Sequence, residues 1–151
     1  MSLYVRTILW SGLICMFSMP SLAQNLVRSC IETNNQGDGL DLYVDGQGTL
    51  HLSHATRIQG NLRYTRVDID GSVTNEPIAN RIHRFPNTET RGTGITMSGD
   101  EVLLCFHNQL AETVNFARRI NGTWSTEVIE NGVSGDGCSI SVQGDQVDVF
   151  Y

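Results

Sequence analysis

Three stretches of this chain place apolar residues at alternate positions on both sides of a short Gly/Asp connection. The first is Leu42-Tyr43-Val44-Asp45-Gly46 followed by Leu50-His51-Leu52-Ser53-His54. The second is Ile95-Thr96-Met97-Ser98-Gly99-Asp100 followed by Val102-Leu103-Leu104-Cys105-Phe106. The third is Ile140-Ser141-Val142-Gln143-Gly144-Asp145 followed by Val147-Asp148-Val149-Phe150-Tyr151. A period of two is what a strand with one buried face requires, and a tight Gly/Asp connection turns two such strands into a hairpin. The equivalent core positions are Leu50, Leu52 and His54, then Val102, Leu104 and Phe106, then Val147, Val149 and Tyr151.

A second pair of strands follows each of the first two hairpins. Leu62-Arg63-Tyr64-Thr65-Arg66 matches Val114-Asn115-Phe116-Ala117-Arg118, and hairpin turns follow at Asp70-Gly71 and Asn121-Gly122. Val73-Thr74-Asn75-Glu76-Pro77-Ile78 then matches Trp124-Ser125-Thr126-Glu127-Val128-Ile129. No helical period competes after residue 24, so the chain reads as all-β. Four antiparallel strands per ~45–50 residues is the spacing of a β-propeller blade. The run Val102–Phe106 is apolar on both faces, as a sheet packed front and back requires. A two-sheet β-sandwich, the alternative, leaves one face of each strand polar.

The expected organisation is a propeller-repeat domain over residues 24–151, with blades at about 39–79 and 93–130, a partial blade at 138–151 and a further strand at 26–32. That makes about 2.5–3 blades, fewer than the four or more of a closed ring. Three explanations stay open: a truncated piece of a longer propeller, two chains completing one ring, or collapse into a sandwich-like stack. In a two-chain ring the strand at 26–32 would complete the partner's unfinished blade and bring Cys30 near Cys138. The bare strand Val147–Tyr151 would invite such association, since an unpaired edge is a template for pairing.

The amino terminus reads differently from the rest. Residues 1–23 carry Arg6, a mostly apolar core over Ile8–Phe17 and the small-residue ending Ser21-Leu22-Ala23, the three parts of a signal peptide cleaved after Ala23. The apolar core is too short for the ~20 residues of a membrane span, and no later segment is apolar enough. The expectation is a secreted or periplasmic product with no stable membrane span. Cys30, Cys105 and Cys138 remain after cleavage, so one disulfide and one thiol, or an intermolecular bridge, are the alternatives. Sixteen acidic residues face ten arginines and no lysine, a net charge of −6, which disfavours nucleic acid as a partner.

The pattern of hairpin, Phe116-Ala117-Arg118, Asn121-Gly122-Thr123-Trp124 and Glu127-Val128 resembles the repeats of secreted bacterial sialidase-like β-propellers. The resemblance covers Gly39–Tyr151, and the first copy keeps Tyr64, Arg66, Gly71 and Glu76 while Val73 replaces the Trp. It implies structural repeat roles for Tyr64, Arg66, Glu76, Phe116, Arg118, Trp124 and Glu127, with Arg66 and Arg118 pairing with Glu76 and Glu127 one strand over. The family's Asp-box is absent because Gly122 is followed directly by Thr123-Trp124, so its calcium and sugar roles do not carry over.

Candidate chemistry is sparse. The loop Ala79–Thr93 exceeds what the repeat needs and clusters Arg81, His83, Arg84 and Arg91, a candidate site for an anion or acidic glycan. His51 and His54 point to opposite faces of one strand and cannot share a metal, and no CxxC or HxxxH spacing occurs, so neither a metal nor a cofactor is expected. No catalytic set stands out. The reading is an exported, non-catalytic propeller-repeat protein that binds a glycan or a protein at the cell surface. The alternatives are a fragment of a sialidase-like glycoside hydrolase and a purely structural repeat.

Overall fold

The computed structural model describes residues 37–56, 59–83, 92–133 and 137–151. All lie in the second of two units into which the chain divides, Asn35–Tyr151. The signal peptide expected at 1–23 and the strand expected at 26–32 lie outside the described residues. Among the described residues ten strands run β1 (Gly37–Val44), β2 (Leu50–Thr56), β3 (Leu62–Val67), β4 (Val73–Ala79), β5 (Gly94–Ser98), β6 (Glu101–Asn108), β7 (Thr113–Ile120), β8 (Thr123–Asn131), β9 (Ser139–Gln143) and β10 (Gln146–Phe150). Each pairs antiparallel with the next inside its sheet, giving two four-stranded sheets, β1-β2-β3-β4 and β5-β6-β7-β8, and a two-stranded hairpin, β9-β10. The all-β, four-stranded antiparallel expectation holds, and no helix occurs among the described residues.

The turns follow their chemistry. Asn121 and Gly122 both take positive φ, 50° and 80°, the two-residue connection whose twist suits a hairpin. The link from β3 to β4 is one residue longer than Asp70-Gly71 suggests. It is closed by Asp68 and Ser72 backbone bonds, with Gly71 at φ 85°.

Strand register sorts each sheet into two faces. In the first sheet His51, Ser53, Leu62, Tyr64 and Glu76 share one face, the back, while Leu42, Leu52, Thr65 and Asn75 share the front. In the second, Ile95, Val102, Leu104, Ala117, Arg119 and Trp124 form the front, and Leu103, Cys105, Phe116, Arg118 and Glu127 form the back. The main core joins the back of the first sheet to the front of the second: Ala55, Leu62 and Tyr64 pack with Ile95, Leu104 and Phe106, all nearly inaccessible. Strand β6 is therefore buried on both faces, as its apolar pattern requires.

The hairpin β9-β10 lies on the back of the second sheet in the same relation. Strand β5 packs over β1 and β2, and β9 packs over β5 and β6. The approach at the second junction is so close that a Cβ on Gly94 would meet Cys105 Sγ at 2.9 Å and the Ser139 Cα at 2.9 Å. A disulfide, Cys105–Cys138, fastens it. Cys138 thus has Cys105 as its partner and not Cys30, the other disulfide candidate, which lies outside the described residues. The reason is local: Cys105 faces backward from β6, directly under the start of β9.

Candidate functional site

Two polar arrangements among the described residues differ in what covers them. The first lies between the two four-stranded sheets. His51 is held through both ring nitrogens, by Tyr64 Oη at 2.7 Å and Asp45 Oδ2 at 3.3 Å. The carboxylate can only accept, so Nε2 donates to it and Nδ1 accepts the Tyr64 hydroxyl proton in the neutral ring. Tyr64 is 1% exposed, and its burial pushes the phenol pKa up to about 12. Partial burial acts to raise the Asp45 pKa, but hydrogen bonds from Thr49, His51 and Gln47 outweigh it, so the net shift is downward. This Asp-His-Tyr chain has the order of a proton relay, but its terminal hydroxyl is sealed from solvent and firmly protonated. It is a structural polar core.

Glu76 completes that junction. Arg119 donates to it from Nε at 2.8 Å and Nη2 at 2.7 Å, and Trp124 Nε1 donates at 2.8 Å. The Arg119 bonds hold the carboxylate below the usual range, and the carboxylate in turn raises the Arg119 pKa. Trp124 also meets the Tyr64 ring edge-on, centroids 5.3 Å apart, and Arg119 lies 5.8 Å from that ring. The intra-sheet pairing of Arg66 with Glu76 does not form. Arg66 binds Asp68 at 2.6 Å, and Glu76 reaches instead across to the next sheet. Arg66 shares the back face with Glu76 but turns to Asp68, and on the facing sheet parity puts Arg119, not Arg118, on the front with Val102 and Ala117, within reach of the carboxylate.

The second place is open. On the back of the second sheet the hairpin β9-β10 covers only the half beneath it, and nothing among the described strands continues it over β7 and β8. A groove of about 570 Å³ results, lined by Leu103, Phe116, Arg118, Glu127, Ile129 and, from the hairpin, Asp145, Val147, Val149 and Tyr151. A shallower recess of about 390 Å³ adjoins it over Phe116, Arg118 and Glu127. Phe116 and Glu127 face each other across β7 and β8 as Tyr64 and Glu76 do across β3 and β4. The same repeat positions are thus sealed in the first sheet and open in the second.

One wall of the groove is a bare strand edge. Gln143 and Gln146 flank the two-residue turn of β9-β10 and form its first pair. Such a pair is hydrogen-bonded and pairs alternate outward from it, so Val147 and Val149 aim their N–H and C=O groups at the open side.

Of the loop candidates, Arg81 and His83 lie among the described residues. Arg81 is exposed at φ 52°, with its N–H bound to Asn61 Oδ1. His83 turns inward, 7% exposed, with Nε2 against the Thr56 carbonyl at 3.2 Å. Arg84 and Arg91 lie outside the described residues. Among the described residues no three His, Cys, Asp or Glu side chains gather as a metal site, and no helix is long and apolar enough to cross a membrane. Residue reasoning named Phe116, Arg118 and Glu127 as repeat residues but missed that they line a groove. Compared with known protein families, curated proteins and solved structures, the chain has no match among them.

Proposed function

We propose that this chain is an exported, non-catalytic binding module built of propeller-type repeats, and that it holds an extended polypeptide segment at the open edge of its third sheet. The observation that carries the reading is the half-covered back of the second sheet, where a bare strand and an apolar, charged groove lie side by side. Strand addition uses both features: the edge supplies main-chain hydrogen bonds and the groove takes alternate side chains. Export is supported by the amino-terminal pattern and by the disulfide, which persists in oxidising compartments. Propeller-type repetition is supported by the front-on-back relation that recurs at both junctions.

The test is selection of extended peptides from a random display library on the full exported chain, run beside a glycan array. The expected result is enrichment of strand-like peptides that Val149→Pro fails to retain, because the proline removes an outward N–H while leaving the β9 ladder intact. Peptides retained equally by Val149→Pro, or binding confined to glycans, overturns the reading.

A further inference from the structure

The front of the first sheet takes no part in either junction. Register places Val44 beside Leu50, Arg63 beside His54 and Val73 beside Val67, so all three join Leu42, Leu52, Thr65 and Asn75 on that face. Its margins are apolar: Leu42 and Val44 on β1 are 49% and 52% exposed, and Leu40 and Val73 are exposed as well. Exposed apolar side chains gathered on one face mark an interaction surface. The polar groups in the middle of the face are bonded to one another. Thr65 donates to Asn75 Oδ1 and accepts from His54 Nε2 at 3.0 Å, so covering the face strips no water from that hydroxyl. Burial, with the Arg63 charge beside it, lowers the His54 pKa, so the ring adds no charge at neutral pH.

The charges of this face are split end to end. Arg63 stands near the start of β3, half-buried, and among the described residues no carboxylate pairs with it. Beyond the other end of β3 the turn carries exposed Asp70, whose carboxylate is held below its ordinary range by hydrogen bonds from Ser72. We propose that this face docks a second copy of the chain, front to front, about a two-fold axis that lies in the interface perpendicular to the strands. That operation sets β1 over β1 and β3 over β3 with their directions reversed. Leu42 then meets Leu42 of the other copy, Leu40 meets Val44, and the Arg63 guanidinium of each copy reaches toward Asp70 of the other. A face with its cation at one end and its anion at the other is self-complementary under that rotation and under no parallel one. Four strands about 4.8 Å apart and about six residues long present roughly 400 Å² per copy, the low end for a specific interface, so association in the range of ten micromolar is expected, on the order of 10⁻⁵ M. The surface lies on the first sheet and does not depend on the strand-addition reading.

Sedimentation velocity of the full chain from about 1 µM to about 500 µM tests this. The mean mass is expected to rise toward that of a dimer with concentration, and to rise less when salt goes from about 0.05 M to about 0.5 M. Leu42→Asp, at an exposed position, should weaken association about ten-fold or more while leaving the thermal midpoint unchanged. Arg63→Asp and Asp70→Arg should each prevent self-association, because each sets like charges against one another. An equimolar mixture of those two variants should associate again, since both contacts of the mixed pair then join opposite charges. A purely structural role for either residue gives no such rescue. A chain that stays monomeric at every concentration, a mixture that associates no better than its components, or a dimer that Leu42→Asp leaves intact overturns the inference. Association kept in Leu42→Asp but lost in Val149→Pro assigns the contact to β10, which overturns this inference and leaves the strand-addition reading standing.

Discussion

Ser53 Oγ and Thr93 Oγ1 lie 2.6 Å apart in a buried hydrogen bond between the first two sheets, at the positions that Cys105 and Cys138 occupy between the second sheet and the hairpin. Ser53 follows Leu52 as Cys105 follows Leu104, and Thr93 precedes Ile95 as Cys138 precedes Ile140. One junction is closed by a hydrogen bond and its equivalent by a covalent one. The double variant Ser53→Cys/Thr93→Cys is therefore expected to form a second disulfide in the oxidised chain and to raise stability by about 2–4 kcal/mol. Thiol counting with chemical denaturation checks both points. Two unreactive native-like thiols, or no gain in stability, would show that the junctions are not equivalent.

Glu76 is the polar fastening of the first junction. Its side chain and that of Arg119 are 21% and 25% exposed, so the pair is neither free in solvent nor fully desolvated. Glu76→Ala is expected to cost about 1–2 kcal/mol, and a double-mutant cycle with Arg119→Met should return a coupling of roughly 1 kcal/mol. The Arg119 hydrogen bonds lower the Glu76 pKa below the ordinary 4.5. A depressed carboxylate stabilises the fold above its unfolded value, and that contribution disappears as pH falls through the lowered folded value. Wild type should lose stability below about pH 4.5 more steeply than Glu76→Gln in denaturant titrations. Parallel acid curves would remove the pair from the account.

Tyr64 sets the opposite limit. Its pKa rises from 10.0 to about 12 through burial. An acid whose folded pKa is raised contributes stability that is whole below the unfolded value and is lost as pH rises through the folded one. The chain should therefore weaken between pH 10 and about pH 12, and Tyr64→Phe should flatten that decline. At neutral pH the same variant should cost about 1 kcal/mol, since His51 loses one hydrogen bond. Denaturation midpoints across that range check the expectation, and an unchanged alkaline decline contradicts it.

The strands were legible because alternation forces one face inward, and the two-sided apolar run at Val102–Phe106 announced that its sheet is covered twice. What lies between sheets was harder to read. Tyr64, Glu76 and Trp124 stood out by repetition, yet their meeting depends on how one sheet lies over another, which period-two patterning does not encode. Arg66 looked the natural partner of Glu76 because it is one strand away, but Arg119 reaches it from the facing sheet. The disulfide escaped for the same reason: Cys105 and Cys138 are 33 residues apart and meet only through stacking. The groove too depends on how β9-β10 lies over the second sheet, which composition does not mark.

Amide exchange at β10, resolved residue by residue in the full chain, bears most directly on the proposed strand edge. Asp148 and Phe150 should be protected by β9, while Val147 and Val149 exchange rapidly until a strand-like peptide from the display selection is added, when both slow together. Protection of Val147 and Val149 in the chain alone would mean the edge is already paired, and rapid exchange that persists under saturating peptide would mean no strand is added there.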